Sequence, residues 1–306
     1  MVCLKIRDIV DMVKLGRFSF LFGGILLYIL GLQIALVAGA EIGAIEAIFG
    51  YLVLGLGHLS VSYSNDYFDY VSDCFGEPTA VSGGSGVLQR RPELRRWALI
   101  SSVSLIFLSI ISGIIFYVFY SPGIAFLGLV VFGNLLGWFY SAPPLKLSYR
   151  RSGEVATAFA VGILVAFYGY YVAAHTIGVE MLIFAPPLLL SGIVFILDVQ
   201  LPDIESDRKS GKDTLVSRIG GKTGLKAIIF LTLAITVYYI SLVFLEPIEW
   251  RIDFLLVALF SLIPLTTATI LFFGTKRGGD MNMFSSGVLG SIFALVIFLN
   301  IYLFLL

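Results

Sequence analysis

Residues 43–73 read GAIEAIFGYLVLGLGHLSVSYSNDYFDYVSD. The first two-thirds is one apolar run without in-and-out alternation. A helix needs about 20 such residues to cross the hydrocarbon core of a bilayer. The run then passes into acids at a fixed interval: Asn65, Asp69 and Asp73 are spaced i, i+4, i+8. If the helix continues, they form one oxygen-lined stripe. Working outward, eight more runs of the same kind predict spans at 17–39, 97–119, 123–141, 154–175, 180–201, 225–245, 253–273 and 284–306, with the second at 43–62. The expected fold is all-α: a polytopic membrane protein with nine transmembrane helices around a central cavity.

Composition agrees. Apolar residues make up 58% of the 306-residue chain and charged residues 13%, against about 25% charged in soluble domains. Mean hydropathy is +0.98. A chain of this size has no interior able to hide so much apolar surface from water. A soluble or disordered protein, a nucleic-acid binder and a disulfide-stapled domain are excluded together. Cys3 and Cys74 suggest neither a disulfide framework nor a Cys-based metal site.

Residues 1–16, with Lys5, Arg7, Asp8, Asp11 and Lys14, read as an interfacial amphipathic segment rather than a cleaved leader. Counted over the connections, 19 of the 20 Lys and Arg fall on the side of the N-terminus; the other side carries Arg251 with Glu41, Glu46, Glu180, Glu246, Glu249 and Asp253. The positive-inside rule then predicts a cell-membrane protein with a cytoplasmic N-terminus and an external C-terminus. The polar chemistry is expected in cytoplasmic loops at 63–96, 142–153 and 202–224 of a single domain, 1–306.

A second acidic stretch closes the sixth span, where Leu201-Pro202-Asp203-Ile204-Glu205-Ser206-Asp207-Arg208 repeats the i, i+4 interval. Each acidic motif follows the second span of a four-span block, which suggests two pseudo-repeated four-helix blocks plus a ninth helix, with the site where the blocks meet. Hard divalent cations are the natural partner of such carboxylates: Mg²⁺ takes one or two of them and completes its shell with water and substrate phosphate. Two facing clusters would clamp a diphosphate. Solvated loop acids neutralised by neighbouring Lys and Arg are the alternative for either motif alone. Fixed positive charge for a diphosphate is available from Arg17, Lys146, Arg208, Lys209 and Lys212. The same residues also serve as topology charges. Gly83-Gly84-Ser85-Gly86 could admit an anion to backbone amides or act as a hinge.

His58 lies seven residues before Asn65 on the same helix face and could reach the pocket, or else bond a neighbouring helix. His175 is placed at the opposite interface. Asp198, an acid inside span 6, is a site residue by default.

These residues carry a resemblance. The chain is similar to the UbiA superfamily of intramembrane prenyltransferases in its NDxxDxxxD first motif, its DxxxD second motif and its YSxPPLK segment. Within it, NDYFDYVSD (65–73), AVSGGSGVL (80–88), YSAPPLKLSYRRSGE (140–154) and DIESDRKSGKDTLVSRIGG (203–221) resemble the dihydroxynaphthoate polyprenyltransferase branch of menaquinone synthesis. The chain departs from that branch at Val199-Gln200 and Leu201-Pro202, where an Asn-Asn pair and Arg are usual. Arg17-Phe18 stands in place of Arg-Pro. LPDIESD is closer to other aromatic-acceptor branches, and YSAPPLKL resembles chlorophyll synthases.

The resemblance implies transfer of an isoprenyl chain from a prenyl diphosphate to a lipophilic aromatic acceptor, through an allylic carbocation. It implies two Mg²⁺ ions, one on Asn65, Asp69 and Asp73 and one on Asp203 and Asp207. Asp66 would orient metal ligands, and Arg17, Lys146, Arg208 and Lys212 would neutralise the diphosphate. Tyr140 is the first candidate to shield the cation with its ring, ahead of Tyr67 and Tyr70. A sideways opening of the cavity would let tail and product pass through lipid. An alternative acceptor is the glycerol hydroxyl of geranylgeranylglyceryl phosphate, with Arg150, Arg151 and Lys209 to hold its phosphate. A cation transporter is a reading from another class, but it calls for acids at mid-membrane and on both sides.

Overall fold

Nine helices long and apolar enough to cross a membrane stand among the described residues of the computed structural model, which are 6–75, 84–245, 251–275 and 281–306. Lys5, Gly83, Glu246, Glu249, Lys276 and Arg277 fall outside them. The chain opens with α1 (Ile6–Leu15), then α2 (Ser19–Val37), α3 (Ala44–Asp73), a short α4 (Val87–Arg90), α5 (Arg95–Tyr120) and α6 (Ile124–Ser141). The fifth span is composite: α7 (Ser152–Phe159) and α8 (Val165–Ala174) are joined by a π-helical turn at Ala160–Leu164. After α9 (Val179–Gln200) come two short helices, α10 (Ile204–Ser210) and α11 (Leu215–Ile219), and then α12 (Gly221–Leu245), α13 (Phe254–Thr275) and α14 (Met281–Phe304). No strand occurs among the described residues.

All nine expected spans are present, and two of their ends differ in informative ways. Hydropathy ends the second span at residue 62, yet α3 runs unbroken for 30 residues to Asp73. Residues 63–73 are therefore helix, not loop, and the acidic stripe is the helix's own last turns. The sixth span stops at Gln200, because Pro202 has no N–H to give the carbonyl of Asp198. That carbonyl accepts from the Leu201 N–H at 3.2 Å, and the Ser285 hydroxyl of α14 lies 3.1 Å from both it and Asp198 Oδ2, with one proton to give to either.

Lipid supplies no hydrophobic drive between helices, so close approach of backbones does much of the work. At the α2–α8 crossing, a Cβ on Gly31 would overlap the Ala166 carbonyl, and one on Gly169 would overlap the Tyr28 carbonyl. The contact is reciprocal between the first spans of the two four-span blocks. Large side chains such as Val118, Phe119, Phe230 and Ile270 are two-thirds or more exposed on the outside of the bundle, as a lipid-facing surface requires.

The dense core sits at the end of the bundle opposite the acidic motifs. There Tyr28, Phe116, Phe126, Tyr168, Phe184 and Tyr239 are buried together, with Phe116 and Phe126 stacked at 4.7 Å. Tyr28 donates to the Ala47 carbonyl at 2.7 Å and Tyr168 to that of Gly50 at 3.1 Å, so their hydroxyls are satisfied in the dry interior. Nearer the acidic end the bundle is hollow, with a cavity of about 640 Å³.

Candidate active site

Asn65, in the last turns of α3, lines this cavity and marks its mouth, and Asp66, Asp69 and Asp73 follow it on the same helix. Asp66, Asp69 and Asp73 are all buried. Ser141, the last residue of α6, donates to Asn65 Oδ1 (3.0 Å) or Asp69 Oδ2 (3.1 Å). Lys212 Nζ lies 3.5 Å from the same Asp69 oxygen. Asp69 Oδ1 is buried with no hydrogen-bond partner. Asp66 is engaged differently: Arg17 Nη2 is 2.9 Å from its Oδ1, and Ser85 donates to Oδ2 from its backbone N–H (3.1 Å) and its hydroxyl. The Ser85 loop can fold over the acids because Gly84 (φ 69°) takes a left-handed turn where any Cβ would collide with Asp73 Oδ2.

The second motif arrives from the α9–α11 connection. Asp203 caps α10 at its N-terminus, and its carbonyl accepts from the Asp207 N–H at 2.8 Å. Thr214 donates to Asp207 Oδ2 at 3.1 Å, and its hydroxyl also caps α11. Burial pushes the Asp207 carboxyl up to about 6, against the pull of Lys212. Burial would lower the pKa of Lys212, but Asp69, Asp73, Tyr149 and Asp207 outweigh it and hold this lysine above the ordinary value. Lys212 thus joins the two motifs: its N–H donates to the Asp207 carbonyl at 3.0 Å while its ammonium lies beside Asp69.

Tyr149 stands between two cations, with Lys146 Nζ 5.0 Å and Lys212 Nζ 5.3 Å from its ring centroid, and donates to Ser72 Oγ at 3.0 Å. Burial and the Asp69 charge raise its pKa. Lys146 itself takes a left-handed backbone conformation (φ 43°) just past Pro143-Pro144. Glu154 ties this loop to the second motif: its Oε1 accepts from the Leu215 N–H at 2.6 Å and from Gln200 at 3.2 Å. Among the described residues no three His, Cys, Asp or Glu side chains form a complete metal cage.

Arg17, His58, Asn65 and Tyr140 line the cavity. Four candidates lie elsewhere. Arg208 gives two N–H groups to the Ser217 carbonyl, at 3.1 and 2.5 Å, and so braces its own loop. Asp198 is wholly buried against α14, where the Ser285 hydroxyl lies 3.1 Å from its Oδ2, and it is not part of the cavity wall. Tyr67 and Tyr70 hold Arg95 over their rings at 4.7 and 5.2 Å rather than facing the cavity. Sequence reasoning missed Ser141, Tyr149, Glu154 and Thr214. The first three lie within the YSAPPLKLSYRRSGE stretch, which was the available signal.

Residues 24–293 match the UbiA prenyltransferase family. The chain is 25% identical over 186 residues to 1,4-dihydroxy-2-naphthoate octaprenyltransferase of Bacillus subtilis (strain 168), covering 60% of this chain and 57% of that protein. It is 32% identical over 94 residues to UbiA prenyltransferase domain-containing protein 1 of Mus musculus, covering 31% of this chain and 28% of that protein. The matched stretches therefore span little more than half of one relative and under a third of the other. The fold is similar to that of a UbiA homolog from Archaeoglobus fulgidus bound to GPP and Mg²⁺: the TM-score is 0.65 at 17% identity, over 92% of this chain and 99% of that one. A structure of digeranylgeranylglyceryl phosphate synthase gives a TM-score of 0.67 at 17% identity, over 98% and 100%.

Proposed function

The chain belongs to the UbiA prenyltransferase family, and from that premise we propose that it transfers an isoprenyl chain from a prenyl diphosphate to a lipophilic aromatic acceptor of the dihydroxynaphthoate type. The observation that carries this reading is the meeting of two acidic motifs beside the Asn65 end of an apolar cavity, where Lys212 donates its backbone N–H to the Asp207 carbonyl at 3.0 Å and sets its ammonium 3.5 Å from Asp69 Oδ2. Such a mouth suits a diphosphate head, and such a cavity suits an isoprenoid tail.

The donor set fits Mg²⁺. It is all oxygen, and it includes a buried carboxylate oxygen without a partner at Asp69, as suits a hard cation that completes its shell with water and substrate phosphate. Asn65, Asp69 and Asp73 would hold one ion and Asp203 with Asp207 another. When bound, Mg²⁺ would neutralise the diphosphate oxygens and make them a better leaving group.

The protein's own groups do the rest. Lys212, Lys146 and Arg17 supply fixed positive charge as the diphosphate departs, which is worth most where water is scarce. Asp66 keeps Arg17 in place. The Tyr140 ring lines the cavity just inside the mouth, where its face would attract an allylic cation. The apolar walls keep water from that cation until the acceptor attacks. The surplus of Lys and Arg on the acidic side supports a cytoplasmic active site.

The B. subtilis relative and the YSAPPLKLSYRRSGE stretch support the aromatic acceptor. Purified protein given geranylgeranyl diphosphate and Mg²⁺ should prenylate 1,4-dihydroxy-2-naphthoate, read by mass spectrometry of the lipid extract. Product from geranylgeranylglyceryl phosphate alone would replace the aromatic acceptor by the glycerol one. Product from neither would remove the reading.

A further inference from the structure

We propose that one face of α3 is the acceptor subsite of this enzyme, with His58 and Ser62 taking the oxygen substituents of a hydroxylated aromatic ring. The inference rests on the prenyltransferase reading above and adds where, and by which groups, the second substrate is held.

The α3 face of the cavity wall carries a polar stripe, and elsewhere on the wall Ser109, Asn134 and Ser191 each donate within the protein, to the Val53 carbonyl, to Ser109 Oγ and the Val130 carbonyl, and to the Pro187 carbonyl. On α3, His58, Ser62 and Asn65 all line the cavity, and their i, i+4, i+7 spacing sets them on one helix face, about 10 Å from end to end. Leu289, Ile292 and Phe293 of α14 and Phe195 and Val199 of α9 give the wall an apolar stretch. An isoprenoid tail has no atom that needs the polar wall, and its natural bed is the α9–α14 side.

Asn65 accepts from Ser141 at the mouth, but the two deeper groups of the stripe, His58 and Ser62, have no such partner. Ser60 and Ser64, which do not line the cavity, bond back to helix carbonyls at 2.6 and 3.1 Å. Neither the His58 nor the Ser62 side chain makes a hydrogen bond to any described residue, and His58 Nδ1 is buried without one. The hydrogen bond to a neighbouring helix that would give His58 a purely structural role is absent among the described residues. In an apolar cavity such groups favour a ligand that brings its own hydroxyl or carbonyl.

Position argues for the acceptor rather than the donor. Asn65 marks the level of the metal-type oxygens, and His58 lies one heptad deeper on the same face. The reacting carbon of the donor must sit just inside the mouth, next to its diphosphate. A ring laid along α3 would bring one carbon to that point while its oxygens reach inward. The rise from Ser62 to His58 is about 6 Å, which matches the separation of para-related oxygens on one aromatic ring. A single glycerol hydroxyl would leave one of the two groups unmatched.

The test is steady-state kinetics on purified protein with geranylgeranyl diphosphate, Mg²⁺ and 1,4-dihydroxy-2-naphthoate, alongside calorimetric donor binding. His58→Leu and Ser62→Ala should each raise the acceptor KM about tenfold, the value of one lost hydrogen bond, with donor Kd within about twofold of wild type. His58→Gln, which keeps a donor and an acceptor, should recover part of the loss and guards against a folding defect in His58→Leu. An unchanged acceptor KM in both variants, with donor binding and turnover intact, would overturn the subsite and leave the transferase reading standing. A loss of donor affinity as large as the rise in acceptor KM would likewise overturn it, because the face would then hold the tail. Absence of donor binding in the wild type would instead remove the transferase reading itself.

Discussion

Burial pushes Asp207 up to about 6 from an unperturbed 3.8, so the folded protein holds this proton more tightly than the unfolded chain does. Stability and activity then run in opposite directions with pH. The metal-free protein should lose thermal stability as pH rises from about 4 to 6, and Asp207→Asn should flatten that slope in melts with EDTA. In the proposed mechanism activity needs the carboxylate, so it should fall below about pH 6, and added Mg²⁺ should move that limb to lower pH. An acidic limb insensitive to Mg²⁺ would contradict the role given to Asp207. Lys212 is the counterpart. Lys212→Ala should cut turnover at least 100-fold by removing charge that faces the leaving group, yet Mg²⁺ alone should bind more tightly, read as a larger thermal shift, because a competing cation is gone. At this scale the sequence disclosed the acids and cations through their spacing. It did not disclose their division of labour. Arg17 to Asp66 and Arg208 to the Ser217 carbonyl are contacts made by loop conformation, which residue spacing does not encode.

At the scale of elements, hydropathy located every span because a 20-residue apolar run has few other uses. It failed at the end of α3, where the acidic stripe lowers hydropathy although Ser141, Lys212 and Arg17 partner acids there and the helix runs on to Asp73. The reciprocal glycines of α2 and α8 were equally hidden, since a close crossing is visible only once two distant segments meet. Their contribution can be measured. Gly31→Leu or Gly169→Leu would press side chains into a backbone carbonyl, and overpacking of this kind costs about 1–3 kcal/mol. Detergent-solubilised variants should melt several degrees lower or fail to fold, whereas Gly290→Ala, with nothing within 4 Å of its added Cβ, should match the wild type.

At the scale of the whole molecule, a dry aromatic core at one end and a hollow, charged mouth at the other make the bundle directional. Cys74, free and exposed one residue past α3, reports the direction. In a Cys3→Ser background within intact cells, a membrane-impermeant maleimide should label it only after permeabilisation. Labelling of intact cells would invert the proposed orientation. The central claim, that two acidic motifs jointly hold a prenyl diphosphate through Mg²⁺, is tested most directly by calorimetry with geranylgeranyl diphosphate on the purified protein. The account predicts binding in Mg²⁺ that disappears in EDTA and in Asp69→Ala and Asp207→Ala alike. Binding that survives EDTA, or that survives loss of either aspartate in folded protein, would contradict it.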